Sequence, residues 1–482
     1  MNPATSASAT QRTARHEPLD LDDIQGLVVR GYGKLPHAAY LLLHIDDPAG
    51  ARNVVARWAE SVTPASVSPS DRAVHVALTA TGVAALTGRS ASEQGFSEPF
   101  ATGMATAYRS RLLGDVGDND PAGWAWGGPG GAAADVAVLL YAETASRLAD
   151  LQEETITAAG EGGFEVVAAL ATTELSDREH FGFHDGISQP RIAGVREHAA
   201  GGSRGDGLVR AGEFILGYVN EYDQRTERPL LSPALDPGGL LPRDPDGSGA
   251  ADLGRNGSYL VFRQLRQDVA AFDEFLERHA TVGNDVDVQR REYLAAKLVG
   301  RWRGSGAPLA LAPLADDPTQ AKANDFGYAH TDPDGLACPI GAHIRRANPR
   351  DALPPQPGTA ASRAVNVRHR LLRRGRGYGP PVADDAERGL HFMCLGTNLA
   401  RQYEFVQHSW INDPLFNGLV GTEDPLVGPR VAGPAGFTEP ARPVRRRTGG
   451  LQQFVQPRGG AYLFLPGLRA LRYLTSAPGP GP

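Results

Sequence analysis

Apolar residues follow two rhythms along the first 170 positions. The segments 38–45 (AAYLLLHI), 135–142 (DVAVLLYA) and 164–170 (FEVVAAL) are short apolar runs, and 74–79 (VHVALT) alternates; all four read as strands. Segments 48–61 and 144–159 instead carry their apolar residues on one helical face. Asp46 or Asp47 caps the first, with Pro48 in its opening turn, and Thr144 or Ser146 starts the second. A short helix at 80–88 follows the second strand. The order β-α-β-β-α-β is the split βαβ, or ferredoxin-like, unit.

The second half repeats this order loosely: strand 258–265, helix 268–280, a further helix at about 286–301, strand 388–396, helix 397–410 opened by Thr397 or Asn398, and strand 460–467. Long Pro/Gly/Asp-rich segments at 229–257, 304–337 and 351–362 are of the kind that line a site or dress a surface. The expected fold is α+β, two ferredoxin-like halves with antiparallel sheets. The expected division is a disordered arm at 1–19, an N-terminal domain at 20–200, a C-terminal domain at 205–472 and a disordered tail at 473–482. The boundary lies near 195–210, in a Gly-rich stretch.

Composition narrows the partners more than the fold. Of 482 residues 41% are apolar and 21% charged, the profile of a globular protein, and a net charge of −7 points to neither nucleic acid nor an anionic membrane. Two cysteines, Cys338 and Cys394, are too few for a disulfide framework or a four-cysteine metal site. No apolar run approaches the roughly 18–20 residues of a membrane span, and no signal-peptide core stands at the N-terminus, so the expected location is cytoplasmic. Oligomeric state is left open.

Four clusters carry the chemistry. In Phe181-Gly182-Phe183-His184-Asp185-Gly186, glycines around His-Asp predict a tight loop. Asp185 either bonds its own backbone there or points its carboxylate into a cavity. In Cys338-Pro339-Ile340-Gly341-Ala342-His343-Ile344-Arg345-Arg346, His343 is a candidate metal ligand among arginines able to pair with carboxylates, or a histidine in a basic surface turn. Cys338 is the alternative ligand, since thiolates also bind metals. In Arg368-His369-Arg370-Leu371-Leu372-Arg373-Arg374-Gly375, two-residue alternation predicts a strand entering a Gly-rich turn, and one inward arginine would stabilise developing negative charge. Leu390 and Phe392 share one face of a strand, as core residues or as the wall of an apolar pocket.

Together these clusters resemble the dye-decolourising peroxidase family. The resemblance runs from Asp23-Ile24-Gln25-Gly26-Leu27 through GFHDGISQP, AHIRRANPR, LLRRGRGYG, GLHFMCLG and RQYEFVQHSWIND to RGGAYLFLPGL, in the family's order. It implies one haem b per chain held between the ferredoxin-like halves, hydrogen peroxide as oxidant, and one-electron oxidation of dyes, phenols or other organic reductants. It implies His343 as the proximal ligand, Asp185 and Arg373 as the distal catalytic pair (with Arg374 the near alternative), and Arg346 as a propionate partner. Ile187, Leu390 and Phe392 would contact the cofactor, and Asp424 would hydrogen-bond the proximal histidine. Trp410 and Tyr403 are candidate electron relays. A carboxyl group as proton carrier predicts activity highest between roughly pH 3 and 5. Two other classes compete: a haem-handling protein without turnover, and a hydrolase, which the lack of a Gly-x-Ser-x-Gly elbow disfavours.

Overall fold

A computed structural model of the chain describes residues 17–131, 133–195, 207–380, 386–431 and 433–476. The N-terminal half forms β1 (His37–Ile45), α1 (Pro48–Ser61), β2 (Arg72–Leu78), α2 (Ala80–Thr87), β3 (Val136–Ala142), α3 (Ala145–Glu161) and β4 (Phe164–Ala171). Asp47 caps α1 by accepting from the Ala49 N–H at 2.9 Å, and Thr144 caps α3 at Arg147. The amphipathic face of α1 buries Val54, Val55 and Trp58 on the sheet.

The C-terminal half forms β5 (Ser258–Gln267), α4 (Val269–Ala280), α5 (Val288–Val299), β6 (Gly389–Gly396), β7 (Val455–Leu465) and α6 (Leu468–Ser476). Two short strands, Leu372–Arg373 and Arg376–Tyr378, both pair with β6. Neighbours in the first half run β4-β1-β3-β2, and in the second the short strands, β6, β5 and β7. Numbered within each half, both orders read 4-1-3-2 or its reverse. The fold is therefore two ferredoxin-like units, as expected, and all pairings in this sheet are antiparallel. The halves share one sheet because β7 meets β2 at Phe464 and Leu78.

Three local departures have physical causes. The helix expected at 397–410 is wound as a π-helix over Ala400–Glu404 and Val406–Ile411, with bonds such as Glu404 N–H to Leu399 C=O at 2.9 Å. Strand β7 starts at Val455 instead of 460, through a bulge between Pro457 and Gly459. Gly459 has no side chain because the Trp126 indole occupies that space, 2.4 Å from where a Cβ would stand. Residues 473–476, expected within a disordered tail, instead close α6, which continues to Ser476 and buries Tyr473 and Leu474. Glu17, inside the expected N-terminal arm, pairs with Arg225 at 3.0 Å and with Arg255. Residues 1–16, the tail beyond 476 and most of the expected domain boundary lie outside the described residues. Among the described residues, no helix is long and apolar enough to cross a membrane.

Candidate active site

A cavity of about 300 Å³ opens between β5, β6, the 179–188 loop and the segment after α5. Its apolar wall includes Ile187, Leu265, Leu390 and Phe392. The two-residue period of β6 explains the last pair: Leu390 and Phe392 face the cavity, whereas His391 and Met393 are buried on the opposite side of the sheet.

His343 opens a one-turn helix, His343–Ala347, and lines the cavity. Its Nδ1 lies 2.9 Å from Asp424 Oδ2. Asp424 is fully buried, and its Oδ1 accepts from the Leu426 and Val427 amides at 2.9 and 3.0 Å. A carboxylate so placed accepts the Nδ1 proton, leaving Nε2 as the unprotonated nitrogen. Burial alone would push the Asp424 carboxyl up and the His343 imidazole down. Their mutual attraction outweighs it, holding Asp424 below and His343 above their ordinary values.

Asp185 and Arg373 line the same cavity, with Arg373 Nη1 2.8 Å from Asp185 Oδ1. Both expected readings of the Asp185 loop are realised at once. Gly182 and Gly186 adopt φ of 90° and 82°, and the Gly186 amide donates to Asp185 Oδ1 at 2.6 Å. Asp185 and Arg373 line the cavity with 36% and 31% of their side-chain surfaces accessible. Burial raises the Asp185 carboxyl, but the Arg373 charge and the Gly186 amide prevail, and it rests below the usual 3.8. The Arg373 backbone is held by Gln189, whose Oε1 accepts its N–H at 3.0 Å.

Arg346 corrects an expectation. It is 0% exposed, does not line the cavity, and donates to the carbonyls of Trp410, Ile411, Asp413 and Thr422. Its guanidinium holds the end of the π-helix against the 411–424 segment and cannot also reach an anion in the cavity. The arginines that do line the cavity are Arg301, Arg350 and Arg370, beside Arg373 and Arg263. Gly300, at φ 101°, ends α5 and turns Arg301 towards the cavity. Arg301 donates to the carbonyls of Gly306 and Ala323, and among the described residues Arg370 has no hydrogen bond or ion pair through its side chain. Burial, then the Arg350 and Arg373 charges, push Arg370 down to about 9 and Arg301 to about 10.

Of the other candidates, Cys338 is buried, does not line the cavity, and has its thiol pushed up to about 11 by burial, which disfavours the thiolate a metal would need. Tyr403 and Trp410 are each 5% exposed. The Tyr403 hydroxyl accepts from Arg263 at 3.2 Å, and the Trp410 ring stands edge-on to His369 and Phe405.

No protein-family model matches the chain. A dye-decolorizing peroxidase of Exidia glandulosa is 31% identical over 486 residues, covering 94% of this chain and 86% of its own. The multifunctional dye peroxidase of Amycolatopsis is 32% identical, over 78% of each chain. The crystal structure of a decolorizing peroxidase from Auricularia auricula-judae superposes with a TM-score of 0.75 at 26% identity, covering 95% of this chain and 100% of that one. The chain belongs to the dye-decolourising peroxidase family. It is a haem-dependent peroxidase acting with hydrogen peroxide on organic substrates.

Proposed function

We propose that the cavity would hold one haem b per chain, with His343 Nε2 as the iron ligand, and that Asp185 and Arg373 act on the peroxide as the catalytic pair. The carrying observation is that two hydrogen-bonded pairs, His343–Asp424 and Asp185–Arg373, line a single apolar-walled cavity. The residues fit the group. A flat apolar ring suits Ile187, Leu390 and Phe392, and an iron ligand needs the nitrogen that Asp424 leaves unprotonated. Two propionates would meet the cavity-lining cations of Arg370 and the buried Arg301, which have no carboxylate of their own among the described residues.

Bound haem supplies the redox centre at which the peroxide bond is broken and from which organic reductants are oxidised in one-electron steps. Asp185 takes a proton from hydrogen peroxide and returns it to the departing oxygen, which leaves as water. Arg373 stabilises the negative charge that develops between these transfers. Asp424 keeps the His343 proton on Nδ1, fixes the ring's orientation and raises its basicity.

The test of this assignment is acid. Because Asp185 is held below 3.8, it remains a base through the ordinary carboxylate range and loses that capacity only as pH falls through its lowered value. The peroxide reaction of the wild type should therefore hold its rate down past pH 3.8, with its acid limb below. Asp185→Asn should keep haem, lower the rate at every pH and abolish the limb. Stopped-flow absorbance against pH in both proteins measures this, and superimposable profiles would remove Asp185 from the chemistry.

The basic wall makes a second prediction, with opposite signs in the two forms of the protein. Arg370→Leu should speed haem loss to a competing scavenger by about tenfold or more, the worth of one charge-assisted hydrogen bond. The haem-free variant should melt higher than the haem-free wild type, because a desolvated cation repelled by Arg350 and Arg373 is gone. Unchanged haem retention would exclude Arg370 as a propionate partner.

A further inference from the structure

Glu179 is a cavity-lining carboxylate that the proposed chemistry does not use. It sits six residues before Asp185, at the root of the same loop. Its Oε2 accepts from the Phe181 amide at 2.9 Å and its Oε1 from the Phe183 amide at 2.8 Å. A third donor comes from the other half of the protein: Gln267 Nε2, at the end of β5, gives a hydrogen bond to Oε2 at 2.6 Å. The backbone closes the same turn, with Phe183 N–H not involved twice: Glu179 N–H donates to the Phe183 carbonyl at 3.0 Å and Gly182 N–H to the Glu179 carbonyl at 2.8 Å.

We infer that Glu179 is a positioning residue for Asp185, clamping the 179–185 turn and tying it to β5 so that the Asp185 carboxylate meets Arg373. The inference rests on the catalytic reading of Asp185 proposed above.

The physical case has three parts. Left-handed glycines at 182 and 186 make this loop easy to turn and equally easy to turn differently. Something must select one conformation, and charge-assisted bonds to two alternate amides do so, because only the observed turn presents both to one carboxylate. Among the described residues, the Asp185 side chain bonds only the adjacent Gly186 amide and Arg373, so its aim depends on where the loop carries it. Arg373 stands on a strand paired with β6, and β6 pairs with β5, the strand that ends at Gln267. The Gln267–Glu179 bond therefore references the Asp185 loop to the sheet that carries Arg373. Phe181 and Phe183 are buried in the adjoining apolar cluster, so the turn is also seated from below.

Glu179→Gln keeps the size of the side chain but puts an amide NH₂ against one of the donating amides. In the haem-free chain, hydrogen exchange at the Phe181 and Phe183 amides should accelerate by about tenfold or more, with exchange in β1 and β3 unchanged. In the haem-loaded enzyme the bimolecular rate with hydrogen peroxide should fall by about tenfold, while the KM for the organic reductant stays within twofold. In the Asp185→Asn background the same substitution should cost nothing further, because Glu179 acts only through Asp185. Gln267→Ala, which removes one of the three donors, should show a smaller slowing of the same kind, and it decides the matter if Glu179→Gln does not fold. Effects that add in the double variant, or an unchanged peroxide rate in Glu179→Gln beside a slow Asp185→Asn, would overturn the positioning role alone. A silent Asp185→Asn would instead overturn the catalytic reading, and this inference with it.

Discussion

His343→Ala is expected to lose most of its haem while remaining folded. The imidazole lines the cavity with the fully buried Asp424 behind its Nδ1 at 2.9 Å, the only side-chain hydrogen bond of His343 among the described residues. Losing a metal-bound histidine's hydrogen-bond partner typically costs 10–100-fold in affinity, so losing the ligand itself should exceed about 100-fold. Asp424→Ala should fall within the smaller range. The fold should survive because β5, β6 and β7 pair without help from the 343–347 turn. Stability should drop by about 1–3 kcal/mol, the cost of leaving Asp424 Oδ2 buried without its donor. Cys338 offers no substitute, with its thiol pushed up to about 11 and away from the cavity. The checks are Soret absorbance per polypeptide after desalting and far-ultraviolet circular dichroism. Full haem content with an unchanged spectrum would bring His184, which also lines the cavity, forward as the ligand.

Much of this arrangement is legible in the sequence, where the signal is local. Strand runs and helix caps are short-range features, and the caps at Asp47 and Thr144 stand where the side-chain chemistry requires. The turn around Asp185 is legible because glycines on both sides of His-Asp mark a tight turn, although they do not select its conformation. The places of Arg346 and Arg370 are not legible, because they depend on tertiary packing. The resemblance implies Arg346 as a propionate partner, yet the helix is a single turn and Arg346 is drawn backwards by four carbonyls. Likewise, an alternation across 368–373 separates Arg370 from Arg373. The strand is only Leu372–Arg373, following a helix at Ala360–Val367, so the two-residue period does not reach Arg370 and both side chains line the cavity. The π-helical winding was invisible for a related reason. Over a dozen residues the apolar pattern does not separate five-residue from four-residue hydrogen bonding, and the carbonyls at 410 and 411 are taken by Arg346, far away in sequence.

Arg373→Leu and Arg374→Leu are expected to fail in different ways, although the residues are adjacent. Arg373 faces the cavity and Asp185, so its loss should slow the reaction with peroxide by at least ~10²-fold, the effect of removing one preorganised charge stabiliser. Haem should stay, since a leucine extends the wall of Leu390 and Phe392. Burial would then act on Asp185 without the opposing charge, so its carboxyl should rise and any remaining acid limb should move to higher pH. Arg374 points to the other face of the sheet. Its Nε and Nη2 donate to the carbonyls of Leu27 and Val28 at 2.8 Å each, and burial pushes it down to about 10 beside Tyr141 and Tyr32. Leu27 and Val28 are each 1% exposed, so their carbonyls would lose buried donors in Arg374→Leu, costing about 1–3 kcal/mol apiece. That variant should melt several degrees lower and yet react with peroxide, per folded molecule, within a few-fold of the wild type. Stopped-flow rates normalised to haem, set beside thermal melts, separate the two. A slow, stable Arg374→Leu with a fast, unstable Arg373→Leu would mean that the cavity-facing arginine is one residue further along the strand, and that the Asp185–Arg373 contact is not the catalytic pair.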